Sequence, residues 1–254
     1  MQMFEALESP EISIETRQKF IVALDVETEG EAREMIAELG NEVGAFKIGL
    51  QLFTSAGSKF VREMADAGTK IFLDLKFHDI PNTVAKAGIE AARLGVWMFN
   101  VHAAGGGEMM RRTAGEVSGH CEKENLTKPK IIAVTVLTSS DLNALLEIGI
   151  EAEVGSQVLR LARLTSESGL DGVVASGNET SAIRKSLPGR DFLIVTPGIR
   201  PDFATNDDQR RVMTPGGAIA AGSDYLVIGR PITKAAERIL AVRTILREME
   251  AASK

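Results

Sequence analysis

Residues 20–50, FIVALDVETEGEAREMIAELGNEVGAFKIGL, hold one complete structural repeat. FIVALDV (20–26) is almost unbroken in its apolarity, the pattern of a strand covered on both faces of a parallel sheet. Ala32, Met35, Ile36 and Leu39 follow at i, i+3, i+4 and i+7, one stripe of a helix that closes at Gly40. AFKIGL (45–50) is the next strand. Outward from this βαβ unit the alternation continues through KIFLDLK (70–76), WMFNVHA (97–103), KIIAVTVLT (130–138), DGVVAS (171–176), FLIVTPGI (192–199) and DYLVIGR (224–230). Between them, Phe60, Val61 and Met64 mark a helix ending near Gly68, and Ile232, Ala235, Ala236, Ile239 and Leu240 mark a last helix opening with Pro231. Eight strands alternating with helices in 254 residues, with no linker in the middle, predict a single-domain α/β fold, a closed (β/α)8 TIM barrel over 20–254. An open doubly wound sheet is the other arrangement. Residues 1–19 are a polar, acidic N-terminal extension that either packs under the barrel or stays unstructured.

Composition narrows the function. A net charge of −6 offers no basic footprint, so neither nucleic acid nor an anionic membrane surface is an expected partner. No apolar run approaches the roughly 20 residues of a membrane span. The first twenty residues lack the basic and apolar regions of a secretory signal. One cysteine, Cys121, excludes an intramolecular disulfide and a Cys-cluster metal site, and the expected location is cytoplasmic. The three histidines lack i,i+4 spacing, so no metal site is expected.

In a barrel, chemistry sits at the C-terminal ends of the strands. Asp25, Lys47, Asp74, Lys76, Asn100, His102, Thr138, Ser176, Arg200 and Arg230 all fall at or just past the end of an apolar run. The densest group lies in IFLDLKFHDIPNT (71–83). Strand side chains alternate, so Asp74 and Lys76 share a face with Leu73 and Leu75 opposite. Asp79 follows in the loop, Asn82 or Thr83 begins the next helix, and Lys47 and Asp25 reach the same mouth from neighbouring strands. The set Lys47–Asp74–Lys76–Asp79 is either a self-satisfied buried ion-pair network or a catalytic array. In the second case a lysine among carboxylates stays protonated and can stabilise and protonate a developing carbanion.

Gly229-Arg230 follows the eighth strand, where barrels often bind phosphate through backbone N–H groups and a guanidinium. A glycine turn with a surface arginine has the same sequence. Thr196-Pro-Gly-Ile-Arg200 supplies a second turn and a second arginine. The polar run DFATNDDQRR (202–211) is either a solvated loop or a lid. Other polar groups are read as supporting or incidental. His78 makes a structural hydrogen bond, His102 supports the mouth, and His120 is solvated in a polar loop stretch, SGHCEKEN. Cys121 has no nearby base. Gly105-Gly-Gly107 turns into a helix, and Trp97 and Tyr225 pack.

Asp74-x-Lys76-x-x-Asp79 followed by Ile-Pro-Asn-Thr83 resembles the signature of the orotidine 5′-phosphate decarboxylase family. Ala23-Leu24-Asp25, Phe46-Lys47-Ile48-Gly49, Val101-His102-Ala103, Leu137-Thr138-Ser139, Thr196-Pro-Gly-Ile-Arg200, Asp207-Asp-Gln-Arg-Arg211 and Val227-Ile-Gly-Arg230-Pro231 occur in the family's order over roughly residues 20–240. The Asp-x-Lys-x-x-Asp element alone is shared with related sugar-phosphate decarboxylases. The resemblance implies decarboxylation of orotidine 5′-monophosphate to uridine 5′-monophosphate and CO2, the last step of de novo pyrimidine nucleotide synthesis, with no metal and no organic cofactor. It implies that Lys76, Asp74, Asp79 and Lys47 are catalytic. Asp25 and Lys47 would orient the ribose, Thr138 the pyrimidine, and Arg230, Gly229 and Gln209 the phosphate, with Arg200 nearby. It also implies a homodimer in which Asp79 and Thr83 of one chain complete the partner's site, with Ile80 among the substrate-binding residues. A magnesium-dependent sugar-phosphate decarboxylase or aldolase on the same barrel is the alternative.

Overall fold

Seven of the eight strands end before the apolar run that encodes them does, leaving the last residues of those runs to the barrel mouth; the third ends one residue past its run. A computed structural model describes residues 12–188, 191–201 and 212–253. Its strands are β1 (Phe20–Ala23), β2 (Ala45–Gly49), β3 (Ile71–Phe77), β4 (Met98–His102), β5 (Lys130–Val134), β6 (Gly172–Val174), β7 (Leu193–Thr196) and β8 (Tyr225–Ile228). Neighbours pair in parallel in sequence order, and β1 pairs with both β2 and β8, which closes the sheet. That closure makes the fold a (β/α)8 barrel and removes the open-sheet alternative.

The helices between strands are α2 (Glu29–Leu39), α3 (Leu50–Asp66), α4 (Pro81–Arg93), α5 (Gly107–Glu124), α6 (Leu142–Glu147), α7 (Val154–Glu167), α8 (Gly177–Ser186) and α9 (Pro215–Ala220). A short α1 (Ile14–Gln18) precedes β1, and α10 (Arg230–Thr233) and α11 (Arg238–Ala252) follow β8. Local signals set several ends. Thr28 and Glu31 form a reciprocal capping box at the start of α2. α4 starts at Pro81, earlier than the expected Asn82 or Thr83, because proline has no N–H to lose in a first turn.

Two expectations need correction. SGHCEKEN is the end of α5, not a loop. Its buried face mixes Thr113, Val117 and Cys121, too sparsely apolar to show as a stripe, and His120 Nδ1 lies 3.0 Å from the Glu116 carbonyl. The last helix is broken: α10 ends after one turn, Glu237 is extended (φ −125°, ψ 87°), and α11 buries Ala241, Val242, Ile245, Leu246 and Met249. Ile239 and Leu240 are exposed, so the periodicity drawn through them spans two helices in different registers.

Side chains on the outer face of the strands pack under the helices. Those on the inner face form a separate apolar plug that includes Ile21, Ala45, Phe72, Met98, Ile132, Val195 and Val227. Below the plug Trp97 and Tyr225 meet edge-on at 5.2 Å between ring centroids. The described part of the N-terminal segment lies at this end too. Ser13 Oγ donates to Glu250 Oε2 at 2.7 Å, and Arg17 Nη1 to Glu42 Oε2 at 2.7 Å. The Lys19 carbonyl accepts from the Leu226 N–H at the start of β8. Among the described residues no helix is long and apolar enough to cross a membrane.

Candidate active site

One pleat above the plug, the inner face changes character. Ala45, Phe72 and Met98 are buried and apolar, and the next inward positions on the same strands are Lys47, Asp74 and Asn100. Lys47 Nζ lies 3.2 Å from Asp74 Oδ2, and Lys76 Nζ donates to Asp74 Oδ1 at 2.7 Å. Asp25, just past β1, approaches Lys47 at 3.5 Å. Side chains of Lys47 and Asp74 are each 12% exposed, that of Lys76 27%, and that of Asp25 51%. The array therefore grades from buried to solvated. Lys47 stands at the centre of β2 rather than at its end.

Burial alone would neutralise these groups. For Asp74 burial is the largest influence and pushes the carboxyl up, but Lys47 and Lys76, with hydrogen bonds from Lys76 and Asn100, hold it below its ordinary value. For Lys47 burial pulls the ammonium down, and Asp74 and Asp25 more than restore it, leaving it raised. Both groups are thus held charged at neutral pH. Nearby, His102 ends β4 with its ring 5.5 Å from that of the exposed His78; burial, then His78 and Lys76, pull the His102 imidazole below its usual range.

Lys76 reaches Asp74 by an irregular backbone. On the β3–β4 ladder Leu73 pairs with Phe99 and Phe77 with Val101, so residues 74, 75 and 76 stand against Asn100 alone. Lys76 adopts φ 52°, a left-handed conformation that costs a non-glycine residue roughly 1–2 kcal/mol. The simple alternation expected through Leu73, Asp74, Leu75 and Lys76 is replaced by this bulge. Such strain in a non-glycine residue is a common mark of a working site.

The array opens on a cavity of about 330 Å³. Asp25, Lys47, Asp74 and Lys76 line it together with Phe72, Thr138, Arg200, Gly229 and Arg230. Thr138 sits in the loop beyond β5, which stops at Val134. Gly229 lies against Asp25: a Cβ there would come within 2.6 Å of Asp25 Oδ2 and push that carboxylate aside. Ser176, another strand-end residue, is buried and caps α8 by accepting from the Asn178 N–H. Among the described residues no three or more His, Cys, Asp or Glu side chains are grouped to hold a metal ion.

A carboxylate between two ammonium groups, in a barrel cavity also lined by two arginines, fits a phosphorylated substrate that loses negative charge. Comparison with known proteins agrees. A family-wide sequence pattern described as "Orotidine 5'-phosphate decarboxylase / HUMPS family" matches residues 18–245. The chain belongs to this family. It is 53% identical over 239 residues to an orotidine 5′-phosphate decarboxylase of Syntrophotalea carbinolica, covering 94% of this chain and 98% of that one. It is 51% identical to the enzyme of the same name from Moorella thermoacetica, covering 94% and 95%. The crystal structure of an orotidine 5′-phosphate decarboxylase from Lactobacillus acidophilus superimposes with a TM-score of 0.79 at 38% identity, covering 91% of this chain and 98% of that one.

Not every residue matched to the family's motifs meets at this cavity. Asp79, Ile80 and Thr83 are exposed and are not among its lining residues; Asp79 Oδ1 accepts from the Ile80 N–H at 2.6 Å. Gln209 and the proposed lid lie outside the described residues. The array also contains a residue to which the sequence motifs give no role. Asn100, fully buried on β4, donates through Nδ2 to Asp74 Oδ1 at 2.6 Å and accepts at Oδ1 from the Lys76 N–H at 2.8 Å. The available signal was a polar residue in the middle of the apolar run WMFNVHA. A buried polar group without a partner is costly, so its partner had to be nearby.

Proposed function

We propose that this chain decarboxylates orotidine 5′-monophosphate to uridine 5′-monophosphate in the cytoplasm, the reaction that completes uridine monophosphate synthesis. The observation that supports it most directly is Asp74 held between Lys47 and Lys76, 3.2 and 2.7 Å away, at the wall of the cavity. In this reading Arg230 and the Gly229 N–H hold the phosphate with Gln209, and Arg200 lies nearby. Asp25 and Lys47 orient the ribose, and Thr138 bonds the pyrimidine. Asp74 faces the departing carboxylate. The bond to that carboxylate breaks, its electron pair stays on the ring carbon, and the Lys76 ammonium donates a proton there. Solvent then returns the proton to Lys76. Binding energy at the phosphate end is used to favour this step.

The sugar-phosphate alternative shares the family and the Asp-x-Lys element. What favours the nucleotide is the name carried by the similar relatives, together with the donor set. Each Asp74 oxygen already faces an ammonium group, and these two fixed positive charges would repel a divalent ion placed on the same carboxylate. Loss of orotate-type absorbance on mixing the protein with orotidine 5′-monophosphate, unaffected by a chelator, is the expected result. No change in absorbance, or chelator-sensitive turnover of a sugar phosphate instead, would overturn it.

The same reading includes a homodimer with shared sites. Asp79, Ile80 and Thr83 lie away from their own cavity, and Ile80 is 66% exposed at the start of α4. These positions suit a segment that completes the site of a second copy. Lys76→Ala and Asp79→Ala, each inactive alone, would then recover about a quarter of wild-type activity on mixing, because half the chains form hybrids with one intact site of two. No recovery would leave each chain to work alone.

A further inference from the structure

We infer that Asn100 is a positioning residue for the proposed decarboxylation: its amide holds the left-handed Lys76 backbone and the Asp74 carboxylate in one fixed relation. The inference rests on the reading above for the reaction, and on the bulge for its geometry. In a regular ladder the alternation begun by Ile71, whose carbonyl accepts from the Trp97 N–H on β4, would point the Lys76 N–H away from β4; the bulge turns it towards that strand, where no ladder carbonyl is matched to it. Here three residues of β3 stand against one of β4, and the Asn100 side chain supplies the missing acceptor at 2.8 Å. The other end of the same amide donates to Asp74 Oδ1 at 2.6 Å, the oxygen that also receives Lys76 Nζ at 2.7 Å.

An uncharged amide satisfies both demands at once. A backbone N–H needs an acceptor and a carboxylate needs a donor, and these are the two ends of one planar group. An ionised aspartate would set a carboxylate against Asp74; leucine would leave the Lys76 N–H without its acceptor and remove one donor from Asp74 in a fully buried place. Asn100 does not line the cavity, so it acts through Asp74 and Lys76 rather than on substrate.

The test uses the full chain, with turnover expressed per nucleotide-binding site counted by titration with uridine 5′-monophosphate. Asn100→Asp keeps the shape. Ionised, the new carboxyl repels Asp74; protonated, it again donates to Asp74 and accepts from the Lys76 N–H. Groups facing position 100 are Asp74 and Lys76 on β3, Lys47 on β2 through Asp74, and His102 on the same strand. The flanking β5 residues Ile132 and Val134 do not titrate. All are shared with the wild type, so the ratio of variant to wild-type kcat isolates the introduced group.

At about pH 8 that ratio is expected near one in a hundred, a misplacement-sized loss, with KM and affinity for uridine 5′-monophosphate changed less than about threefold. Lowering the pH to about 5 should raise the ratio at least about tenfold, since like charge and burial raise the carboxyl's pKa. Asn100→Ala should show the same loss with no recovery in acid. A kcat per site equal to wild type in either variant, a pH-independent ratio for Asn100→Asp, or equal losses in kcat and nucleotide affinity would overturn the inference. If Asn100→Asp does not fold, the kcat per site and nucleotide affinity of Asn100→Ala decide it. A wild-type chain inert towards orotidine 5′-monophosphate would overturn the proposed function instead.

Discussion

At the floor of the barrel Glu42 accepts from Arg17 and Arg243 at 2.7 and 2.6 Å; at the mouth Asp74 meets Lys76 and Lys47 at 2.7 and 3.2 Å. The two carboxylate side chains are equally covered, 12% exposed in each case. Their cations differ. Arg17 and Arg243 are 30% and 49% exposed, whereas Lys47 and Lys76 are 12% and 27%. For Glu42 the largest influence is the Arg243 hydrogen bond, and the carboxyl is lowered; for Asp74 the largest is burial, overcome only by two lysines. An arginine cannot give up its proton, and a lysine beside a cavity can. One carboxylate between two cations is therefore a clamp at one end of the barrel and, in the proposed reaction, the reactive centre at the other.

Replacements at each end should separate these roles. Lys76→Ala should lower turnover by about 10⁴-fold or more while binding of uridine 5′-monophosphate stays within a few fold. Lys76→Arg, which keeps the charge and loses the transferable proton, should be almost as poor. Steady-state kinetics beside nucleotide titration reads both, and an active arginine variant would erase the distinction between the two ends. Arg230→Ala should cost about 1.5–3 kcal/mol of nucleotide affinity, the size of a charge-assisted contact, measured by calorimetry. Unchanged affinity and turnover would remove the phosphate end from the comparison.

Effects at the floor should be smaller and confined to stability. Glu42→Gln should cost about 1–2 kcal/mol by urea unfolding at neutral pH, with turnover per folded site unchanged. The sign with pH follows from linkage. A carboxyl lowered in the folded state stabilises above its unfolded value, here 4.5, and that contribution fades as pH falls through the folded value. The gap between wild type and Glu42→Gln should therefore narrow below about pH 4. Arg17→Lys should change stability by less than about 0.5 kcal/mol and activity not at all. A loss of turnover in either floor variant would show that the ends are coupled.

Much of this architecture could be read locally. All eight apolar runs became strands, and Gly105–Gly107 and the Trp97–Tyr225 pair took the structural parts expected of them. Reading failed where periodicity was thin or crossed a break. The buried face of α5, Met109, Met110, Thr113, Val117 and Cys121, thins to one residue per turn over SGHCEKEN, and the apolar residues after Pro231 belong to two helices separated at Lys234–Glu237.

The sequence by itself determined the alternation of strands and helices, and with it the face on which Lys47 and Asp74 lie, because both follow from the spacing of apolar residues along one segment. Folding decided the rest. Asn100 is 24 residues from Lys76 and 26 from Asp74, and their contact exists only because β4 pairs with β3 in one register. The left-handed turn at Lys76 is stable for the same reason. No local preference selects it; a side chain from the neighbouring strand supplies the bond that the bulge leaves unmade.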